Sequence, residues 1–191
     1  METTDFGRRE LLKLGLTTGT LLAATGLVLP EEAWAKGAGS IIAHLNGAID
    51  KENRAIWAYR TASGTGKLSD PVLRTALAFM NQHKEHAAAL SAAVKNLKGH
   101  PAQMRAKYDL SAFNPDLNDE KGILTLALKL ESDAVKAYYK ALGMLGNPGL
   151  RASAAGIFAD EAMHVAILRN VLGLDPVPVA FVTDPTVWSL S

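Results

Sequence analysis

At 191 residues the chain suits a single domain with an extension. Its composition is globular, 48% hydrophobic and 20% charged, which excludes disordered and collagen-like chains. A net charge of +1 with no basic tract argues against nucleic-acid binding, and the absence of cysteine excludes disulfides, thiolate nucleophiles, iron–sulfur clusters and thiolate-held zinc.

The chain opens with Gly7-Arg8-Arg9-Glu10-Leu11-Leu12-Lys13, then a weakly apolar, Gly- and Thr-rich run from Leu14 to Leu29, then Pro30. Ala33-Trp34-Ala35 follows, the small-x-small pattern that a signal peptidase accepts. This opening resembles a twin-arginine export signal, with its paired Arg, an apolar residue two positions on and a closing Lys. The resemblance implies that residues 1–35 are removed, that the twin-arginine export machinery is a partner, and that the mature chain, Lys36 to Ser191, works in the periplasm or another extracytoplasmic space. That route moves folded proteins, often with a cofactor already inserted. The alternative is a retained membrane anchor, for which the apolar run is short.

Four helix-period segments follow, without strand alternation. The first is expected from about Ser40 to Ala62, with Leu45, Ile49, Ile56 and Tyr59 inward, ending in Ser63-Gly64-Thr65-Gly66. The second starts at Ser69-Asp70-Pro71, a capping residue followed by proline, and runs to about Leu97. Its expected inward stripe is Leu73, Leu77, Met80, Ala87, Leu90, Val94 and Leu97. A long connection over 98–118 has room for a short helix from Ala102 to Tyr108. The third helix runs from near Asn118-Asp119 to about Leu145, and the fourth from about Leu150 to Leu172 after the break at Gly146-Asn147-Pro148-Gly149. Residues 173–191, with Pro176, Pro178 and Pro185, form an extended tail anchored by Phe181 and Trp188. Short, long and short connections predict two helical hairpins joined by a crossover, an all-α four-helix bundle over residues 36–172.

The hairpins repeat each other. Glu52-x-x-Ala55-Ile56-x-Ala58-Tyr59-x-x-Ala62 matches Glu131-x-x-Ala134-Val135-x-Ala137-Tyr138-x-x-Ala141. His83-x-x-His86-x-Ala88-x-Leu90 matches Glu161-x-x-His164-x-Ala166-x-Leu168. The repeat includes polar residues set into apolar stripes: Glu52, His83, His86, Glu131, Glu161 and His164. Residues three apart on a helix share a face, so Glu161 and His164 can reach one point, flanked on their stripe by Ile157, Leu168 and Val171. Several buried ionisable groups in one core are costly unless compensated, and a shared dication would compensate them. Carboxylate and imidazole suit iron, manganese or zinc.

On these residues the chain resembles the ferritin-like superfamily of dimetal carboxylate bundles, whose pattern is Glu on helices one and three and Glu-x-x-His on helices two and four. The resemblance implies metal ligation by Glu52, His86, Glu131, Glu161 and His164. At the sixth position His83 stands where the family has Glu. That departure removes a bridging carboxylate and weakens a second metal, or supplies a nitrogen ligand to an asymmetric or mononuclear site. Glu85, one residue from His86, reads as helix flank.

Two functions follow. The first is an exported iron-binding bundle, with manganese or zinc as alternatives, acting if catalytic as an iron-dependent oxidoreductase that oxidises ferrous iron or consumes peroxide. The second is a metal-free structural or partner-binding bundle in the cell envelope, its Glu and His groups bonded to one another. Tyr59 and Tyr138 read as core tyrosines, with a role beside the ligands as the alternative. Arg54, Arg60, Lys84, Lys95, Lys136 and Lys140 read as a solvated face, and the alanine-rich helices hint at a homodimer.

Overall fold

The computed structural model of the chain describes residues 31–180, with side chains from residue 39 onward. Residues 1–30 of the expected leader over 1–35 and the tail anchors Phe181 and Trp188 lie outside the described residues, while residues 31–35 open the first helix. Four helices carry the fold: α1 Glu31–Ser63, α2 Asp70–Asn96, α3 Glu120–Met144 and α4 Pro148–Val171. No strand occurs among the described residues, and no helix there is long and apolar enough to cross a membrane.

Local chemistry fixes most boundaries. Asp119 caps α3 by accepting from the Gly122 amide at 2.8 Å, and Asn147 caps α4 by accepting from the Leu150 amide at 3.0 Å. Pro148 then occupies the first turn, so α4 starts two residues earlier than its apolar pattern predicts. Ser69 holds the cap position of α2 without using its side chain; its amide donates to Glu120 at the start of α3 instead. Gly173, at φ 75°, ends α4 in the left-handed conformation that side chains disfavour. The first helix extends back to Glu31, because Ala33 and Ala35 favour helix and no proline follows Pro30 before Pro71.

α1 packs on α2 and α3 on α4, each pair joined by a short turn, and the hairpins then meet through α1–α3 and α2–α4. Lys67 donates to the Asn118 carbonyl and Asn46 donates to the His100 carbonyl, so the crossover starts beside the middle of α1 and finishes just past its C-terminal end. It travels as an irregular strap. The helix expected over Ala102–Tyr108 is absent, replaced by one 3-10 turn at Ser111–Phe113. Packing explains this: Tyr108 and Leu110 are buried, Leu110 joins Ala58, Leu126 and Leu130, and the Tyr108 ring lies 6.3 Å from Trp57. The strap also gives Arg54 a partner. Arg54 lies 4.8 Å over the Phe113 ring and donates to Asp133 at 2.6 Å, so it joins α1, α3 and the crossover rather than a solvated face.

Two apolar clusters fill the bundle. One holds Tyr59, Ala76, Phe79, Leu124, Leu128, Val135 and Leu168. The other holds Leu45, Ile49, Leu90, Val94, Tyr138 and Ile157. Along α1, α2 and α4 the polar residues of the repeat fall between them. The α2 stripe differs from expectation near its start: Ala76, Phe79 and His83 are buried, whereas Leu77 is 39% exposed. Both registers have helical spacing, and one residue turns a helix by about 100°. Contacts with the other hairpin select the observed one. Val171, expected inward on α4, is 48% exposed.

Candidate metal centre

Each ligand-type residue occupies the stripe of its helix where an apolar residue would otherwise stand. Glu52 follows Ile49 by one turn on α1, and Glu131 follows Leu128 on α3. His83 and His86 share a face of α2, Glu161 and His164 a face of α4. Antiparallel packing brings all four faces to one level. Glu52, His83, Glu131, Glu161 and His164 are at most 2% exposed, and His86 is partly buried. Two sets of potential ligand atoms result, each within 4.8 Å: Glu52, His83, His86 and Glu161, and His83, Glu131, Glu161 and His164. His83 and Glu161 belong to both.

These two shared residues are bonded in opposite ways. His83 Nδ1 lies 2.7 Å from Glu52 Oε2, and its Nε2 lies 3.1 Å from Glu131 Oε1. A carboxylate only accepts, so an imidazole donating to both must carry both protons. Burial opposes that charge, but Glu131, Glu52 and Glu161 outweigh it and hold the His83 pKa well above the ordinary histidine value. Glu161 has no such partner. Both its oxygens are buried without a hydrogen bond, although His86 Nδ1 is 3.2 Å from Oε1 and His164 Nδ1 is 3.4 Å from Oε2. Burial and the adjacent Glu131 charge push Glu161 up to about 7. His86 Nδ1 is likewise buried and unbonded.

The remaining pKa values describe a cluster balancing its own charge. Burial pulls Glu52 up, but the His83 hydrogen bond and the charges of His83 and His86 bring it down to about 2. Burial resists protonation of His86 and His164, yet the surrounding carboxylates raise them to about 11 and about 9. For Glu131, the His83 charge and hydrogen bonds from its neighbours overcome burial and hold it well below the carboxylate range.

Around the ligands stands a second set of contacts. The Tyr59 hydroxyl on α1 donates to Glu131 on α3, and the Tyr138 hydroxyl on α3 donates to Glu52 on α1. Seven residues separate each Glu from the Tyr of its own helix, so the repeat produces a reciprocal exchange across the hairpins. His164 Nε2 lies 2.9 Å from Gln82 Oε1, His86 Nε2 lies 3.2 Å from Asp160 Oδ2, and Asp160 also lies 3.4 Å from His164 Nε2. Acceptors on the Nε2 side leave Nδ1 of both rings turned toward Glu161. The Phe79 ring stacks on His164, with centroids 3.8 Å apart.

The donor set fits a divalent metal. Carboxylates and imidazoles from four helices converge, and the two atoms of Glu161 and one of His86 that lack hydrogen bonds point into that convergence. Unbonded buried carboxylate oxygens cost more than the ~1–3 kcal/mol of an ordinary unsatisfied group, a cost that a cation removes.

Comparison with known proteins bears on the fold. The ferritin-like domain family matches residues 40–174. The chain belongs to the ferritin-like family. No curated protein matches it. Among solved structures, this ferritin-like chain resembles a conserved hypothetical protein of Mycobacterium tuberculosis (TM-score 0.64, 19% identity, covering 75% of this chain and 99% of the other). It also resembles the dodecameric thioferritin, a bacterioferritin-related protein, of Bacteroides fragilis (0.63, 21%, 75% and 94%). A third is a ferritin-like, diiron-carboxylate protein of Bacillus anthracis strain Ames (0.59, 23%, 71% and 96%). At these identities the likeness concerns the fold.

All six polar residues of the repeat, five that match the ferritin-like pattern and His83 that departs from it, meet at one level of the bundle. Glu85 is exposed on the helix flank, as its position predicts. Sequence reasoning missed Asp160 and Gln82. Asp160 had a local signal, since it directly precedes Glu161 and lies four residues before His164, one turn away on the same helix. Gln82 had none, because its partner comes from the other hairpin.

Proposed function

We propose that the mature protein is an exported, iron-binding ferritin-like bundle. The observation that carries the reading is the Glu161 carboxylate, buried without a hydrogen bond while three imidazoles and two further carboxylates converge on it. Glu52 with His86 and Glu131 with His164 are the proposed end ligands. Glu161 lies between them, and His83 supplies nitrogen where the family pattern has Glu. Imidazole and carboxylate together favour iron over calcium or magnesium, with manganese and zinc as the nearest competitors. Iron bound there would supply a ferrous–ferric couple and a coordination position for dioxygen or peroxide. The chain's own groups do the rest: Tyr59 and Tyr138 hold the Glu131 and Glu52 carboxylates, and Asp160 and Gln82 orient the two imidazoles. Tyr59 and Phe79 keep water from one side of the cluster. The twin-arginine resemblance supports export of a folded, metal-loaded chain, and we place cleavage after Ala35.

A metal-free bundle is the second reading, favoured by one observation: His83 already bonds both Glu52 and Glu131. A self-sufficient network would also have formed a hydrogen bond to Glu161, and neither of the two imidazoles facing it does so. Elemental analysis of protein purified from the exported fraction separates the two. The metal reading predicts iron in that material and a melting temperature that rises when ferrous ion is added. Metal below about 0.1 per chain, with melting unmoved by ferrous, manganese or zinc ions, defeats it. Replacing Arg8 and Arg9 together with Lys should leave an unprocessed chain in the cytoplasm; normal export of that variant defeats the assigned route.

A further inference from the structure

A cavity separate from the polar layer opens at the end of the bundle where α1 meets α2 and α3 begins. Its volume is about 110 Å³, and all four helices wall it. Ala58, Ala62, Ala76 and Ala127 line it, four places where larger side chains would have filled the space. Unfilled core volume lowers stability, so a space walled by alkyl groups is a loss unless something occupies it. Only two side chains in the wall carry a polar group, and both groups are engaged. Tyr59 donates to Glu131, and Thr75 donates to the Pro71 carbonyl at 3.1 Å. Neither wall hydroxyl has a proton left to donate to a ligand, and no charged side chain lines the space.

The cavity opens outward. Ile167 and Val171, one turn apart on α4, stand at its rim and are 43% and 48% exposed. Inward, Tyr59 and Phe79 form a wall one ring thick. The far side of Phe79 stacks on His164, and the hydroxyl of Tyr59 meets Glu131.

We infer that this pocket binds a small, wholly apolar molecule, of about the size of benzene or a short hydrocarbon chain, against the aromatic wall that separates it from the Glu/His cluster. The volume supports that size: an engineered apolar cavity of roughly 150 Å³ stays dry and takes benzene. Chemistry disfavours the polar alternatives, since a hydroxyl moved from water into an alkyl wall is penalised unless it reaches an acceptor, and Thr75 is the one wall side chain outside the Glu/His contacts that could accept. The inference does not depend on a bound metal, because every wall residue is in place without one.

Benzene and phenol are the probes, added to mature protein with and without metal. Benzene should raise the melting temperature and shift the ring resonances of Tyr59 and Phe79, and phenol should bind about tenfold more weakly or worse. Ala127→Leu should lose the benzene response while keeping the melting transition. Should that variant not fold, xenon binding to the unaltered chain, read by the same ring resonances, serves instead. The proposal is overturned if benzene moves neither melting nor the rings, or if phenol binds as well as benzene. It is also overturned if a response appears only once residues 181–191 are deleted, since the pocket would then belong to the tail.

Discussion

The two hairpins carry the same pattern and differ at one position of the site. In the α3–α4 hairpin Glu131 is joined by Glu161 and His164; in the α1–α2 hairpin Glu52 is joined by His83 and His86. Glu161 faces the His86 and His164 rings without a formed hydrogen bond, while His83 donates through both ring nitrogens. The same place in the repeat thus demands positive charge in one half and supplies it in the other. An imidazole substituted for a carboxylate turns half of a two-metal pattern into its own counter-ion. The α3–α4 half is the one whose shared carboxylate is left without a formed hydrogen bond.

The largest test of that difference is Glu161→Ala. Glu161 belongs to both ligand sets, so metal retained after dialysis should fall by about a hundredfold or more, the upper end of effects seen on disturbing a site's supports. Glu85→Ala should change nothing, and metal loss there would mean that α2 is placed wrongly. Next, His83→Glu makes the hairpins alike. Added carboxylate should tighten a second metal by about tenfold, read by stoichiometric titration. Without metal the same variant should melt lower, because removing one partner from a buried charge cluster costs about 3–5 kcal/mol.

Acidity sharpens the comparison from another side. His164 and His86 have folded pKa values raised to about 9 and about 11. A raised histidine stabilises fully below its unfolded value and loses that contribution as pH climbs through the folded one. Glu161, raised to about 7, likewise loses stability as pH climbs above its unfolded value. The metal-free protein should therefore melt progressively lower from about pH 6.5 to pH 9. Metal must displace these same protons, so the stabilisation by a fixed metal concentration should grow over that range. Parallel pH profiles with and without metal would remove Glu161 and His164 from the ligand set.

The smallest effects concern the reciprocal tyrosines. Tyr59→Phe and Tyr138→Phe each free the Glu of the opposite hairpin. Each should weaken metal binding by about tenfold, measured by competition with a chelator, with the fold retained. An unequal pair of losses would report which half carries the tighter metal.

The sequence by itself determined the four helices, because capping residues, prolines and glycines act within a turn of where they stand. Asp119, Asn147 and Gly173 place helix ends by bonds and dihedrals that involve their nearest neighbours. It also marked the six polar residues that cluster in the core, since an ionisable residue at an apolar stripe position is visible without coordinates, and the repeat shows it twice. Tertiary structure decided the rest. The register at the start of α2, with Phe79 inward rather than Leu77, depends on the His164 ring that Phe79 covers. The strap over Tyr108 and Leu110 depends on α1 and α3 beneath it. Gln82 reaches its partner across the hairpins, where no local spacing points. The unequal bonding of His83 and Glu161 depends on which groups surround each. Spacing along a helix reveals which face a side chain shares, but hydrogen bonding and charge compensation are set by what the other helices bring to that face.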